Sequence, residues 1–427
     1  MIFERIVEQF KNFFSKRKRI VILIVLTVLL VTYLILGFIM QQIIDGLPDQ
    51  HAAERWDPDS RISQVSMFFT EDQMITENTI RKLEYTMESK MVERGIISED
   101  DNDSNSGQNG KIIDTVGIGK KPNDTGDEEV AKEQIKVYRS AYCAQGITTI
   151  AFERTKAENV DTIGVGGDFF LFHPMELVSG SYFSGDDIMK DRIVIDEDLA
   201  WQLFGSNDIV GQCVTIGGIN HYIAGVVKRI DGRFPEAAGL TKGTAYISYD
   251  SLAKYGNILS GRTETKEVSE DNVTMQEGGI NCYEVVMPGP VDNIVSMLVK
   301  ESIGLDDKYI RVVDNTERFN GFALFEVASN FGIRSMWTQP IYYPYWENIA
   351  RGWEDVLSIL FLIRMVCIIA FWLIIATLVV ISYRNKTWTV RGVINTLGEK
   401  KYDFEARLQT KKNEKKRLSD KETDDDR

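Results

Sequence analysis

The chain has 427 residues, 44% of them hydrophobic and 26% charged, with a formal net charge of −14. Nine prolines and 33 glycines exclude a collagen-like or proline-rich scaffold, and four cysteines are too few to build a fold on disulfides. The acidic balance excludes nucleic acid as the main partner, because phosphate binding needs a basic face.

The charge is unevenly spread. Residues 1–19 and 383–427 each carry net +4, whereas 41–355 carries net −23. Ile20 to Met40 is an uncharged run rich in Ile, Leu and Val, opened by Lys16, Arg17, Lys18 and Arg19. A helix of roughly 20 apolar residues crosses a bilayer core. The run is longer than a signal-peptide core and no A-x-A-like cleavage site follows, so it predicts an uncleaved anchor.

Ile62 to Phe69 predicts a strand, and Thr76 caps a helix in which Ile80, Leu83, Met87 and Met91 recur at helical spacing. The segment 96–134 is too polar to bury a core and is expected to be a disordered insertion. Lys136 to Glu153 returns to strand-like composition and completes a βαβ-like unit. Late in the domain the pattern recurs. Cys282 to Met287 is a strand, Pro288-Gly-Pro290 a turn, Val291, Ile294, Val295, Leu298 and Val299 mark a helix, and Tyr309 to Val313 the next strand.

Between these halves lies Gly180-Ser-Tyr-Phe183, then a strand (Ile193 to Ile195) and a short helix ended by Gly205. A hairpin follows, with Gly217-Gly218 supplying the positive-φ positions of its reversal. Gly211 and Gly225 are expected to permit tight backbone approaches.

From Tyr342 to Arg364, Trp346, Ile349, Ala350, Trp353, Leu357 and Leu360 lie at helical spacing and predict an amphipathic stalk. The stalk feeds a second apolar run, Val356 to Ser382, which Arg364 interrupts and Arg384 and Lys386 follow. A charge at the bilayer centre costs at least about 2.5–3.5 kcal/mol. The lipid-embedded part is therefore expected at 365–383, with Arg364 reaching to the outer interface. Positive flanks beyond both runs predict cytoplasmic termini, a multi-pass plasma-membrane protein of two spans, and a charged cytoplasmic tail at 384–427. The predicted fold class is an α+β extracytoplasmic domain over 41–341. It has two βαβ halves with an inserted β-rich lobe at about 180–275, and is held by two transmembrane helices.

The order Gly180-x-x-Phe183, Ile193 to Gly205, and Val210-Gly211 through Gly225-Val-Val227 resembles the outer domain of the MacB-like, FtsX-type ABC transporter permease family. The likeness runs over about residues 60–315. It implies a mixed α/β outer domain with a small inserted lobe, and an ATP-binding ABC subunit acting in trans. The family pattern has one span before the outer domain and three after it, against one and one here. That implies pairing as a homodimer or with a fuller permease subunit. Trp388 and Arg391, in the segment after the second run, are similar in placing to the cytoplasmic part that contacts the ATPase. The plainer reading of the same pair is a juxtamembrane anchor to headgroups.

No G-x-x-x-x-G-K-[ST] occurs, and Gly164-Val-Gly166-Gly167-Asp168, without a lysine, is expected to be a turn. His51, His173 and His221 form no zinc pattern, and no G-x-S-x-G marks a hydrolase. No catalytic residue, cofactor or metal site is expected, and the chain does not read as an enzyme. Cys143 and Cys282 are either buried thiols packed as small hydrophobes or a bridge between the two βαβ halves. The functional expectation is a permease-like membrane subunit of an ABC-type transport or mechanotransmission system, without its own ATPase. The alternative is a membrane-anchored sensor or adaptor that regulates a partner without transport.

Overall fold

The computed structural model describes residues 17–96, 137–268, 273–332 and 340–384, in two compact units. One unit takes in the chain up to Met40 and from Leu360 onward; the other is Gln41–Ile359. The expected insertion at 96–134 falls, apart from Ile96, outside the described residues.

In chain order, α1 (Arg17–Asp45) is followed by a single 3-10 turn at Pro48–Gln50 and α2 (Ala52–Trp56). Then come β1 (Ile62–Phe69), α3 (Glu77–Glu93), β2 (Arg139–Phe152), β3 (Thr155–Gly167) and α4 (Phe169–Phe172). The middle of the chain forms β4 (Leu177–Gly180), β5 (Arg192–Asp196), α5 (Glu197–Phe204), β6 (Cys213–Ile216), β7 (Ile219–Val227) and α6 (Arg233–Ala237). It continues through β8 (Thr244–Ser248), α7 (Tyr249–Tyr255), β9 (Asn257–Ile258), β10 (Thr263–Val268) and β11 (Val273–Gly278). The last elements are β12 (Cys282–Pro288), α8 (Ile294–Ile303), β13 (Ile310–Asp314), α9 (Gly321–Ser329) and α10 (Tyr345–Arg384).

The membrane unit rests on α1 and α10, both long and apolar enough to cross a bilayer, over Ile20–Asp45 and Tyr345–Ile381. Arg364 approaches α1. Its guanidinium lies 4.3 Å from the centre of the Tyr33 ring, and a Cβ on Gly37 would stand 3.0 Å from Nη2. Gly37 thus gives the charge room against a neighbouring helix, and Tyr33 gives it an aromatic face.

In the outer unit the two expected βαβ halves are interleaved. The sheet order begins β13-β1-β12-β2, with β1 antiparallel to both β12 and β13, and β12 antiparallel to β2. Each half therefore lends one strand to fill the gap in the other, a split βαβ arrangement. Thr76 caps α3 by accepting from the Thr79 amide at 3.2 Å. The periodic residues of α3 and α8 (Ile80, Leu83, Met87, Leu298, Val299) cover one face of this sheet and pack on Val65, Met67, Val285 and Met287.

The sheet continues past β2 as β3-β8-β5-β7-β4, so the inserted lobe shares β2 with the core and is no separate layer. Gly217 (φ 59°) and Gly218 (φ 84°) make the two-residue reversal between β6 and β7, as their sequence position predicts. Gly225 does sit against backbone, since a Cβ there would meet the Ser181 carbonyl at 2.7 Å; Gly211 instead serves through its φ of 81° with nothing close. The glycine run at 164–167 is the end of β3 and not a turn. Gly166 lies under the Tyr142 ring, and Gly164 under Leu252, where a side chain would collide.

Candidate functional site

Strand alternation turns Gln64, Ser66 and Phe68 of β1, with Cys282, Glu284 and Val286 of β12, onto the sheet face opposite α3 and α8. That face is buried too, under α2, α4 and the start of α10. Three of those six side chains are strongly polar, and a buried polar group must find a partner. They find one another and the two chain segments that lead to α1 and α10.

The result is a continuous chain of buried hydrogen bonds and ion pairs. Asp49, four residues beyond α1, accepts from His173 Nδ1 at 2.8 Å. The other ring nitrogen of His173 donates to Glu284. Glu284 accepts from Ser66 at 2.6 Å, and Asn315 donates to Ser66 at 2.7 Å. Arg318 donates to Asn315 at 3.2 Å, forks onto Glu347 of α10 at 2.7 and 3.0 Å, and reaches Glu354 through Nε. Arg351 donates to Glu347 at 2.9 Å. Six of these groups (Ser66, His173, Glu284, Asn315, Arg318, Glu347) are at most 5% exposed.

The electrostatics follow from the partners. Burial by itself lowers the pKa of His173, but Glu284 and Asp49 on either side raise it to about 10. With carboxylates at both ring nitrogens, both donate, and the ring is an imidazolium. Its face lies 4.0 Å from the Trp346 ring of α10. Burial pushes the Glu347 carboxyl up, and Arg318 and Arg351 more than reverse this, holding it below the usual carboxylate range. A planar guanidinium meeting a carboxylate in two parallel bonds fixes orientation as well as distance.

Neighbouring contacts fasten the same foot. Gln64 accepts from the Ala52 amide at 2.8 Å and donates to the Asp49 carbonyl at 2.7 Å, clamping the segment after α1. Arg55 donates to the Leu171 and Phe172 carbonyls. From the lobe, the Tyr246 hydroxyl meets that of Tyr345 at 3.1 Å, and the tilted rings of Phe234 and Trp353 lie 4.6 Å apart, with Phe234 against Gly352. The first turns of α10 therefore touch core and lobe together.

Of the residues singled out from sequence, Trp388 and Arg391 lie outside the described residues. Cys143 and Cys282 stand directly opposite each other on β2 and β12, both free and buried. Burial raises the Cys282 thiol, with Cys143 and Glu284 adding to it, so the thiolate needed for oxidation is disfavoured. His173, which forms no zinc pattern in the sequence, instead joins the two carboxylates. Among the described residues no group of His, Cys, Asp or Glu could hold a metal ion. One signal was available: Glu284 interrupts an apolar strand, and Glu347 and Glu354, seven apart, sit in the apolar stripe of the stalk.

Residues 85–277 match the family described as MacB-like periplasmic core domain. A macrolide export ATP-binding/permease protein MacB of Chromobacterium violaceum is 37% identical over 92 residues, which are 20% of this chain and 14% of that protein. The MacB of Agrobacterium fabrum is 29% identical over 167 residues, 38% of this chain and 23% of the relative. The chain thus spans under a quarter of the length of either relative. The extracellular domain of the noncanonic ABC-type transporter YknZ from Gram-positive bacteria covers 58% of this chain and 99% of its own, at 14% identity and a TM-score of 0.31. The chain is a membrane protein with an extracytoplasmic domain, and over residues 85–277 that domain is similar to the MacB-like periplasmic core domain.

Proposed function

We propose that this chain is the membrane subunit of an ABC-type transport or mechanotransmission system. Its outer domain binds a substrate or partner, and α1 and α10 carry movement between that domain and the cytoplasmic side. In this reading both termini are cytoplasmic and ATP hydrolysis is supplied in trans by an ATP-binding subunit. That subunit is contacted through the segment bearing Trp388 and Arg391, and the chain pairs with a second copy or a fuller permease.

The observation that supports the reading is the charge chain from Asp49 to Glu354. It joins the segment after α1, the central sheet and the start of α10 through directional bonds. A displacement of α10 cannot slide past such a chain as it could past an oily contact, so the joint suits transmission of force. A flexible tether would suffice for a domain that only captures a ligand.

Co-purification of the tagged chain in mild detergent tests this. An ATP-binding protein should accompany it, and be lost with Trp388→Ala and Arg391→Ala together. ATP hydrolysis by the complex should respond to an Arg318→Met, Glu347→Leu pair that leaves the outer domain folded. A partner without nucleotide-binding activity, retained in the double variant, would favour the adaptor reading instead.

A further inference from the structure

Helix α9 turns its aromatic side outward. Phe322 is 89% exposed and Phe325, one turn on, 58%; Phe331 just past the helix is 54% exposed, while Leu324 on the opposite side is buried. A folded domain seldom leaves three phenylalanines of one short segment in water without a use for them. Between Phe319 and Gly332 there is no Lys or Arg, and Glu326 is the one charge.

The charge chain fixes where α9 begins. Asn320 caps the helix, and two residues earlier Arg318 is held by Glu347 and Glu354 of α10. Five residues past Glu354, about 7.5 Å along a helix, α10 presents Ile359 outward at 50% exposure. The headgroup layer on each side of a bilayer is about 5–8 Å deep. The start of α9 is therefore held beside the turns of α10 that lead into its apolar run. An exposed helix face bearing Phe side chains can bury into the headgroup–acyl boundary.

We propose that Phe322, Phe325 and Phe331 dock α9 into the headgroup–acyl boundary of the outer leaflet. The foot of the outer domain is then attached to the bilayer at a third point besides α1 and α10. The occupant is lipid and not protein, because Arg318, two residues before α9, is held by the turns of α10 that lead into its apolar run, and the exposed side of α9 carries no basic residue. The proposal rests on α10 crossing the bilayer, and the test separates the two claims.

The full chain, with Cys213→Ala and Cys367→Ala, is labelled with an environment-sensitive fluorophore at Phe322→Cys, Phe325→Cys, Leu373→Cys or Tyr85→Cys and placed in lipid nanodiscs. Tyr85 is 73% exposed on α3 and serves as the aqueous control. Labels at 322 and 325 should shift to the blue, be quenched by a lipid nitroxide near the glycerol backbone, and lose most of their quenching by iodide. The label at 373 should respond to nitroxide deep in the acyl chains. If 373 reports lipid while 322 and 325 behave like 85, the docking of α9 is wrong and the span stands. Protection from iodide without nitroxide quenching means that protein covers the face, which also overturns the proposal. An aqueous 373 removes the span and the docking together.

Discussion

The two faces of the β1–β12 pair are buried by opposite chemistry. On one, α3 and α8 lay aliphatic side chains on Val65, Met67, Val285 and Met287. On the other, Ser66 and Glu284 stand opposite each other in register and meet a histidine and an asparagine, and the asparagine in turn accepts from Arg318. Apolar contacts are non-directional and scale with area, so the first face supplies stability and tolerates small shifts. Ion pairs taken out of water contribute little net stability, since desolvation offsets their attraction. What the second face supplies is a defined geometry, at the place where the segments leading to both membrane helices join the sheet.

Removing one member of the polar face should have the largest effect. Arg318→Met takes the Arg318 guanidinium from the buried Glu347 and Glu354, leaving Glu347 with Arg351, and the outer domain should lose about 3–5 kcal/mol. Urea unfolding of the full chain followed by fluorescence measures this. Adding Glu347→Leu should return much of the loss, and no recovery would mean the pair is not coupled. On the apolar face, Leu298→Ala should cost about 2–5 kcal/mol by leaving a cavity. That loss should add to the effect of Arg318→Met without interaction, because the two sites share no partner.

The faces should also differ in pH response. His173 has its pKa raised from 6.5 to about 10. Its contribution is thus complete below about pH 6.5 and lost as pH rises toward 10. The melting temperature should fall between pH 7 and 10, and His173→Gln should start lower and flatten that fall. Glu347, with its pKa depressed, contributes above the ordinary carboxylate range and loses its contribution as acid protonates it. The smallest expected effect is local: Thr76→Ala removes the cap of α3 and should cost about 1 kcal/mol, read by the same urea titration, with the pH profile unchanged.

Periodicity made much of the apolar face legible. The strand at Ile62–Phe69, the cap at Thr76 and the buried stripe Ile80, Leu83, Met87 and Met91 all stand where spacing puts them. The late helix begins at Ile294 and leaves Val291 exposed outside it, since the turn at Pro288–Pro290 runs longer than its residues suggested. The stalk helix begins at Tyr345 and not at Tyr342, because Pro344 ends the extended segment and its carbonyl accepts from Asn348. The polar face was not legible, because its members come from six separate segments and no spacing relates Asp49 to His173 or Ser66 to Asn315. The interleaving of the two βαβ halves was equally hidden, since each half reads the same whether its strands are adjacent or parted.

By itself the sequence determined that two apolar runs flank an acidic domain, and that this domain alternates strands with amphipathic helices. Those facts are local: length, charge and period are properties of neighbours along the chain. Only the tertiary structure decided that Arg318 faces Glu347, that His173 is an imidazolium between two carboxylates, and that Phe322 is left outside. Pairing, protonation and exposure depend on what is brought close in space.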